Sequence, residues 1–278
     1  MKCLVKKVKN LKLFCLLFCI FSLQLSLIFA ATMPAKNISE TATAKDTKVL
    51  WTELKFSLYG DICFPRYSYN VAGLDFGLLH TKTDKVYGIQ IAGIGAKINK
   101  IYGIQVAGLG SQNNIFYGLQ VAGLGTVTNN FYGIQVAGFG AENDKFCGLQ
   151  ISGLGCNTNK LYGIGLSPIF KYKKLYGFCF EIFGDVQYSE SCYGMQISGF
   201  DSKIQDLRGL QISLYNAAVS SKGMQLGLIN VAEKVCGVQI GLYNSCSELK
   251  GVQIGFINHS EKAGIFDIDT VPIINVGV

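Results

Sequence analysis

Proline and histidine are nearly missing from this chain, which has four prolines and two histidines in 278 residues. Glycine is abundant, at 33 residues, yet without matching proline it spells neither a collagen nor a proline-rich disordered tract; it fits closely packed backbone. His80 and His259 lie far apart, each in a polar turn after an expected strand, and read as solvated turn residues rather than as a ligand pair or a base. No CxxC pair occurs, and the cysteines beyond residue 30 are odd in number. Two of them, Cys147 and Cys236, stand where sister units carry Tyr or Lys, so they read as small substitutions and not as a disulfide framework or a metal cluster. Gly-x-Gly pairs such as Gly108 with Gly110 have no helix after them, which removes a nucleotide site. No cofactor, metal or catalytic residue is expected.

Charge of one sign is also scarcer than it first looks. Five of the 25 basic residues and none of the 18 acidic ones lie in residues 1–30, leaving 20 basic against 18 acidic. A nearly neutral chain is not a nucleic-acid binder by charge. The first thirty residues combine Lys2, Lys6, Lys7, Lys9 and Lys12 with an apolar run from Leu13 and small residues at Ala30 and Ala31. That is the pattern of a secretory signal peptide over 1–30. Residues 31–50 are polar, lack apolar periodicity and read as a disordered tail. A single β-repeat domain is expected over 51–278, beginning with a strand in LKFSLYGDICF that Pro65 and Arg66 end.

The strongest feature is a phrase repeated from Val86 onward: VYGIQIAGIGAKINK, IYGIQVAGLGSQNNI, FYGLQVAGLGTVTNN and two further versions. Its first glycine recurs at Gly88, Gly103, Gly118, Gly133, Gly148 and Gly163, a step of fifteen residues. Gly73 opens a degenerate earlier unit. The stretch 178–192 is the least regular and is expected to be a loop; shorter units such as GVQIGLYN then follow, each ending in an asparagine. Fixed short-period repetition signals stacked or meandering units rather than an enzyme core. Within a unit, Tyr102, Ile104 and Val106 alternate with Gly103, Gln105 and Ala107, the period of a strand with two unlike faces. Helix is excluded, because each glycine would cost about 1 kcal/mol there. Polar segments such as Ser111–Asn114 supply turns.

Two architectures use such units. A straight strand over Tyr102–Gly110 would span about 30 Å, and the six remaining residues could return about 20 Å, too little to close a coil. The expectation is therefore an all-β antiparallel meander closing into a β-barrel of about 14 strands. Tyr, Ile and Val would face lipid, and Gln, Gly and Ala a narrow polar interior. The alternative is a parallel β-solenoid with coils of 14–15 residues, bending at the glycine after Ala107.

The units GVQIGLYN and GVQIGFIN, with YGIQVAGLG upstream, resemble the bacterial surface-repeat family first named from leptospiral surface proteins, over about Gly73 to the C-terminus. The final VPIINVGV resembles that family's closing apolar strand. The resemblance implies a surface or outer-membrane location and no catalytic residues.

The most ordered polar feature is a ladder of Gln90, Gln105, Gln120, Gln135 and Gln150, resumed at Gln196, Gln211, Gln225, Gln239 and Gln253. In a barrel these amides would line the interior; in a solenoid they would stack as a ladder suited to binding. Asp267 and Asp269 flank Ile268 on one strand face and read as solvated. The functional expectation is a non-enzymatic exported protein of the outer membrane or cell surface. As a barrel it would be structural or a narrow pore whose partner is membrane lipid; as a solenoid it would be a binding or adhesion module for an envelope or host surface.

Overall fold

The structure is a computed structural model that describes residues 50–66, 69–184, 189–262 and 268–277. The expected signal peptide, nearly all of the expected tail and Asp267 lie outside the described residues. The described chain from Leu50 onward belongs to one compact unit.

Among the described residues, sixteen strands make one sheet. They begin with β1 (Trp51–Gly60), β2 (Ile62–Phe64), β3 (Asn70–Ala92), β4 (Gly95–Ala107) and β5 (Gly110–Ala122). β6 (Gly125–Ala137), β7 (Gly140–Ser152), β8 (Gly155–Leu166), β9 (Ile169–Glu181) and β10 (Ser189–Ser198) follow. The shorter-step region supplies β11 (Asp201–Ile212), β12 (Tyr215–Ser221), β13 (Met224–Leu226), β14 (Ile229–Ile240) and β15 (Tyr243–Ser260), and β16 (Thr270–Gly277) closes it.

Neighbouring units pair parallel and in register. Gly88 faces Gly103, Gln90 faces Gln105 and Ala92 faces Ala107 across β3 and β4, and the same pairing runs through β5 to β8. A meander would pair neighbours antiparallel, so the expected barrel of about 14 strands is wrong. The fold is a β-solenoid of about thirteen stacked coils. The narrow-pore reading falls with the barrel, because the middle of the stack is filled by buried side chains such as Phe116, Gln120 and Phe131.

The reason is in the backbone. A straight run over Tyr102–Gly110 does not exist. The chain turns at Gly108–Leu109, which separates β4 from β5, and Gly103 adopts a φ of 142°. Inside–outside alternation slips again at Asn99–Lys100, with Ile98 and Ile101 both buried on either side. With its length divided among several short runs, a fifteen-residue coil closes easily. Gly103 must be glycine for a second reason: a Cβ there would lie 1.9 Å from the carbonyl oxygen of Gly88 in the coil before it.

Antiparallel strands cover both ends of the stack. The expected first strand is a tight hairpin, β1–β2, and β1 then lies parallel on β3. At the other end β16 pairs antiparallel with β15. Of the expected loop over 178–192, residues 178–181 belong to β9 and 189–192 to β10, and 185–188 lie outside the described residues.

The coils from Val86 to Leu161 have an apolar interior corner built by the residue two before the repeat glycine. Val86, Ile101, Phe116, Phe131, Phe146 and Leu161 are fully buried there. The rings of Phe116, Phe131 and Phe146 stack at 4.8 and 4.9 Å, the spacing between coils.

Candidate functional site

The buried glutamines are an internal hydrogen-bonded spine. Gln105 Nε2 donates to Gln90 Oε1 at 2.6 Å, and Gln120 and Gln135 repeat the bond to the coil before at 2.7 Å. Each of these amides is fully buried, and bonding it to its own image satisfies a group whose burial would otherwise be costly. The chain of donors needs a final acceptor. Asp75, in the glutamine position of the first coil, provides it: Gln90 Nε2 donates to Asp75 Oδ2 at 3.0 Å, as does Thr83 Oγ1 at 2.7 Å.

Lys55 stacks in register on Asp75 from β1, fully buried, and donates to Thr83 Oγ1 and to the Lys82 carbonyl. Burial lowers the Lys55 pKa against the opposing charge of Asp75. It raises that of Asp75 against the hydrogen bond from Thr83 and the charge of Lys55.

The sequence-defined ladder is not continuous. The Gln135–Gln150 bond is absent. Gln135 Oε1 accepts from Asn143 instead, while Gln150 Oε1 accepts from Thr158 and its Nε2 has no partner. Gly165 then replaces glutamine because the Phe170 ring fills the space; a Cβ at Gly165 would lie 2.5 Å from it. A second spine starts at another carboxylate, with Gln196 Nε2 donating to Glu181 Oε1 at 2.7 Å. Gln211 is reached through Ser202, and Gln225, Gln239 and Gln253 then continue coil by coil. Asn275 on β16 closes this spine by donating to Gln253 Oε1.

Beside it runs a second ladder, of the asparagines that end the short units. Asn216 donates to Asn230, Asn230 to Asn244 and Asn244 to Asn258, at 2.7–2.8 Å. Its signal was present in the asparagine that ends each short unit. Buried Lys55 carried no such signal, because it lies outside the repeat.

Cys147 and Cys236 are exposed and in register with Tyr132 and Tyr162, and with Lys250, as substitutions in a column. Burial pushes the thiols of Cys156 and Cys192 up to about 12, so both stay protonated at neutral pH. His80 is held below the ordinary imidazole value by burial, and His259 Nδ1 lies 3.0 Å from Thr270 Oγ1. They sit at different coils and form no site together. Among the described residues no group of three or more His, Cys, Asp or Glu could hold a metal.

The expected facing of the strands is correct even though the topology is not: Gln and Ala point in, Tyr, Ile and Val point out. The two outward positions flanking each spine residue are aliphatic, Met or Phe in every coil from Leu74 and Phe76 to Val252 and Ile254. Past the corner, another column runs from Leu79 through Leu109 and Phe139 to Leu228 and Leu242, again without a polar side chain. Ile134 is 45% exposed and Phe139 51%. On the near border Tyr87, Tyr102, Tyr117 and Tyr132 stack in parallel at 4.7–4.9 Å. Where Cys147 interrupts them, Lys145 Nζ sits 5.7 Å from the Tyr132 ring and 5.6 Å from Tyr162.

The solenoid's exterior is therefore divided lengthwise into an apolar flank and a polar one. The polar flank carries residues such as Lys97, Asn99, Glu142 and Asp144. Along it Asn99, Asn114 and Asn129 form an exposed amide ladder that begins at Asp84. No helix among the described residues is long and apolar enough to cross a membrane. No family model, no curated protein and no solved structure matches this chain.

Proposed function

We propose that the chain is a non-enzymatic, surface-associated β-solenoid, a structural or adhesion module whose working surface is its apolar flank. The observation that carries this reading is the inverted strand between Gly103 and Gly108. A sheet facing water would bury Ile104 and Val106 and expose Gln105; here the reverse holds. Burying a Val or Ile side chain gains about 1.5–3 kcal/mol. A flank that leaves such side chains outside in every coil forgoes that gain until something covers it. At about 4.8 Å per coil the flank is roughly 60 Å long, and an apolar area on the order of 1,000 Å² exceeds what a free monomer usually exposes.

The basic-then-apolar start of the chain, and the likeness of GVQIGLYN and YGIQVAGLG to bacterial surface repeats, support an exported location at the outer membrane or cell surface. The partner is then an envelope or host surface. The test is the double variant Ile104→Lys with Ile134→Lys. We expect an unchanged strand signal in circular dichroism, weaker retention on hydrophobic-interaction resin, and lost binding to envelope or host-surface preparations. Unaltered binding to both would overturn the reading.

A further inference from the structure

We propose that the apolar flank docks the solenoid lengthwise onto an anionic lipid bilayer, with the tyrosine column at the headgroup level. The proposal rests on the reading that this flank is the working surface, and it names the occupant. Three features of the flank choose hydrocarbon over a protein partner.

First, the outward columns offer no hydrogen-bonding group from Leu74 to Ile254, so an occupant need supply none. Protein interfaces mix apolar cores with polar rims and about one hydrogen bond per 100–200 Å². Acyl chains have no polar groups to satisfy. Second, the border between the flanks is ordered as a membrane interface is. Tyr87, Tyr102 and Tyr117 stand next to the apolar columns with their rings stacked in parallel along the coil axis. Aromatic side chains of this amphipathic kind concentrate where hydrocarbon meets headgroups.

Third, that border is basic. Two residues before Tyr87 and Tyr102, Lys85 pairs in register with Lys100, and before Cys147, Tyr162 and Tyr176 Lys145 pairs with Lys160 and then Lys174; Ile115, Asn130 and Ser191 hold this position in the coils of Tyr117, Tyr132 and Tyr193. Where the tyrosines stop, cations take their column. Arg208 follows Tyr193 in register, its guanidinium 5.1 Å from that ring, and Lys222 and Lys250 continue the column. The acidic residues that meet this border's cations are Glu190, paired with Lys174, Asp206, paired with Arg208, and Glu248, which meets Lys234 and Lys262. Arg208, Lys222 and Lys250, in the tyrosine column, and the lysines just behind the tyrosines can lie with their stems along the apolar edge and their charges raised to the phosphates. An element with one apolar face and a basic border lies in the interface plane and does not span.

Binding alone is a weak test, because the apolar run at 13–30 can itself insert. The readout must be local. The full chain is prepared with Trp51→Phe, and a single tryptophan is placed by Ile134→Trp or, in a separate protein, Val106→Trp on the flank, or by Asn129→Trp on the polar side. Each is mixed with phosphatidylglycerol–phosphatidylcholine vesicles whose acyl chains are brominated, once circular dichroism shows the native strand signal. We expect blue-shifted, strongly quenched emission for both flank positions and unquenched emission for Asn129→Trp. Adding Lys145→Glu with Lys160→Glu should weaken partitioning about tenfold or more, from the loss of roughly 1 kcal/mol per basic residue near an anionic surface.

Quenching of Asn129→Trp instead of the flank positions would overturn the proposed orientation. Equal quenching on phosphatidylcholine alone would overturn the anionic preference. Flank emission that is blue-shifted but unquenched, in a species heavier than one chain, would overturn lipid as the occupant and leave the flank a binding surface for a second copy. Flank emission that stays water-like in a monomer would overturn both this proposal and the reading beneath it.

Discussion

Gln90 Nε2 donates to Asp75 Oδ2 at 3.0 Å, and this single bond is where the internal amide spine of the solenoid ends. Every other spine bond in the first array joins like to like, so its dipoles all point one way and the last donor must meet an acceptor. A carboxylate is acceptor-only. Its charge is then balanced by Lys55, stacked on it from the end strand.

Removing that balance should be costly. Asp75→Ala leaves the buried Lys55 ammonium uncompensated and deprives Gln90 and Thr83 of an acceptor. The expected loss is about 3–5 kcal/mol. The double variant Lys55→Met with Asp75→Leu, which removes both charges, should recover most of it. Urea unfolding followed by circular dichroism measures both, and a double variant no better than the single one would contradict the ion-pair account.

The same pair sets a pH dependence. Because burial lowers the Lys55 pKa, the unfolded chain binds more protons between that lowered value and the ordinary 10.5, and stability rises with pH through this window. Asp75 is raised, so the folded chain holds its proton longer, and stability falls as pH climbs from the ordinary 3.8 to the raised value. Subtracting the unfolding free energies of the Lys55→Met, Asp75→Leu chain at each pH isolates these two slopes. They should be negative on the acid side and positive on the alkaline side.

The two glutamine arrays should respond unequally to loss of one rung. At Gln120, the neighbours have other partners: Gln105 Oε1 also accepts from Asn113, and Gln135 Nε2 also donates to Thr126. Gln225 sits between Gln211 Oε1 and Gln239 Nε2, whose bonds run along the spine. Gln225→Leu should therefore destabilise more than Gln120→Leu, by about 1–3 kcal/mol for each group left unpaired. Equal losses in denaturant unfolding would show that the lateral bonds to Asn113 and Thr126 contribute nothing.

Glycines of one unit should divide into two kinds. Gly118 has a φ of 133° and its Cβ would lie 1.9 Å from the Gly103 carbonyl oxygen, while a Cβ at Gly125 would meet the Gly140 oxygen at 3.4 Å. Gly118→Ala should cost more than about 2 kcal/mol through backbone strain and overlap, and Gly125→Ala about 0.5 kcal/mol or less. Thermal unfolding of the two chains tests the difference.

Much of this was legible in the residues. The period, the all-β class, and the inward Gln and outward Ile and Val follow from alternation and spacing, while the bend at the glycine after Ala107 belonged to the alternative, coiled architecture. What failed was the choice between meander and coil, and it failed on one assumption, that Tyr102–Gly110 is straight. The positive φ at Gly103 leaves no trace in a hydrophobic pattern, because a kink with its missing Cβ directed at the preceding coil does not disturb the inside–outside alternation. The Gln135–Gln150 gap was equally hidden, since it depends on which way an amide turns toward Asn143 and Thr158. Asp75 was visible in principle, as the acidic residue in the glutamine position after Gly73; its partner Lys55 lies in a stretch with no repeat to mark it.

The parallel, in-register stack is the claim on which the flank, the spines and their caps all depend. Its most direct test is a pair of deletions measured by circular dichroism and urea unfolding. Removing Gly103–Tyr117, one complete coil of fifteen residues, should leave a folded, cooperative array one coil shorter, with Gln90 stacked on Gln120. Removing only Gly103–Ala107 leaves a coil that cannot align its glycines and should lose most of the native strand signal. Loss of folding on deleting the whole coil, or tolerance of the partial deletion, would contradict the solenoid.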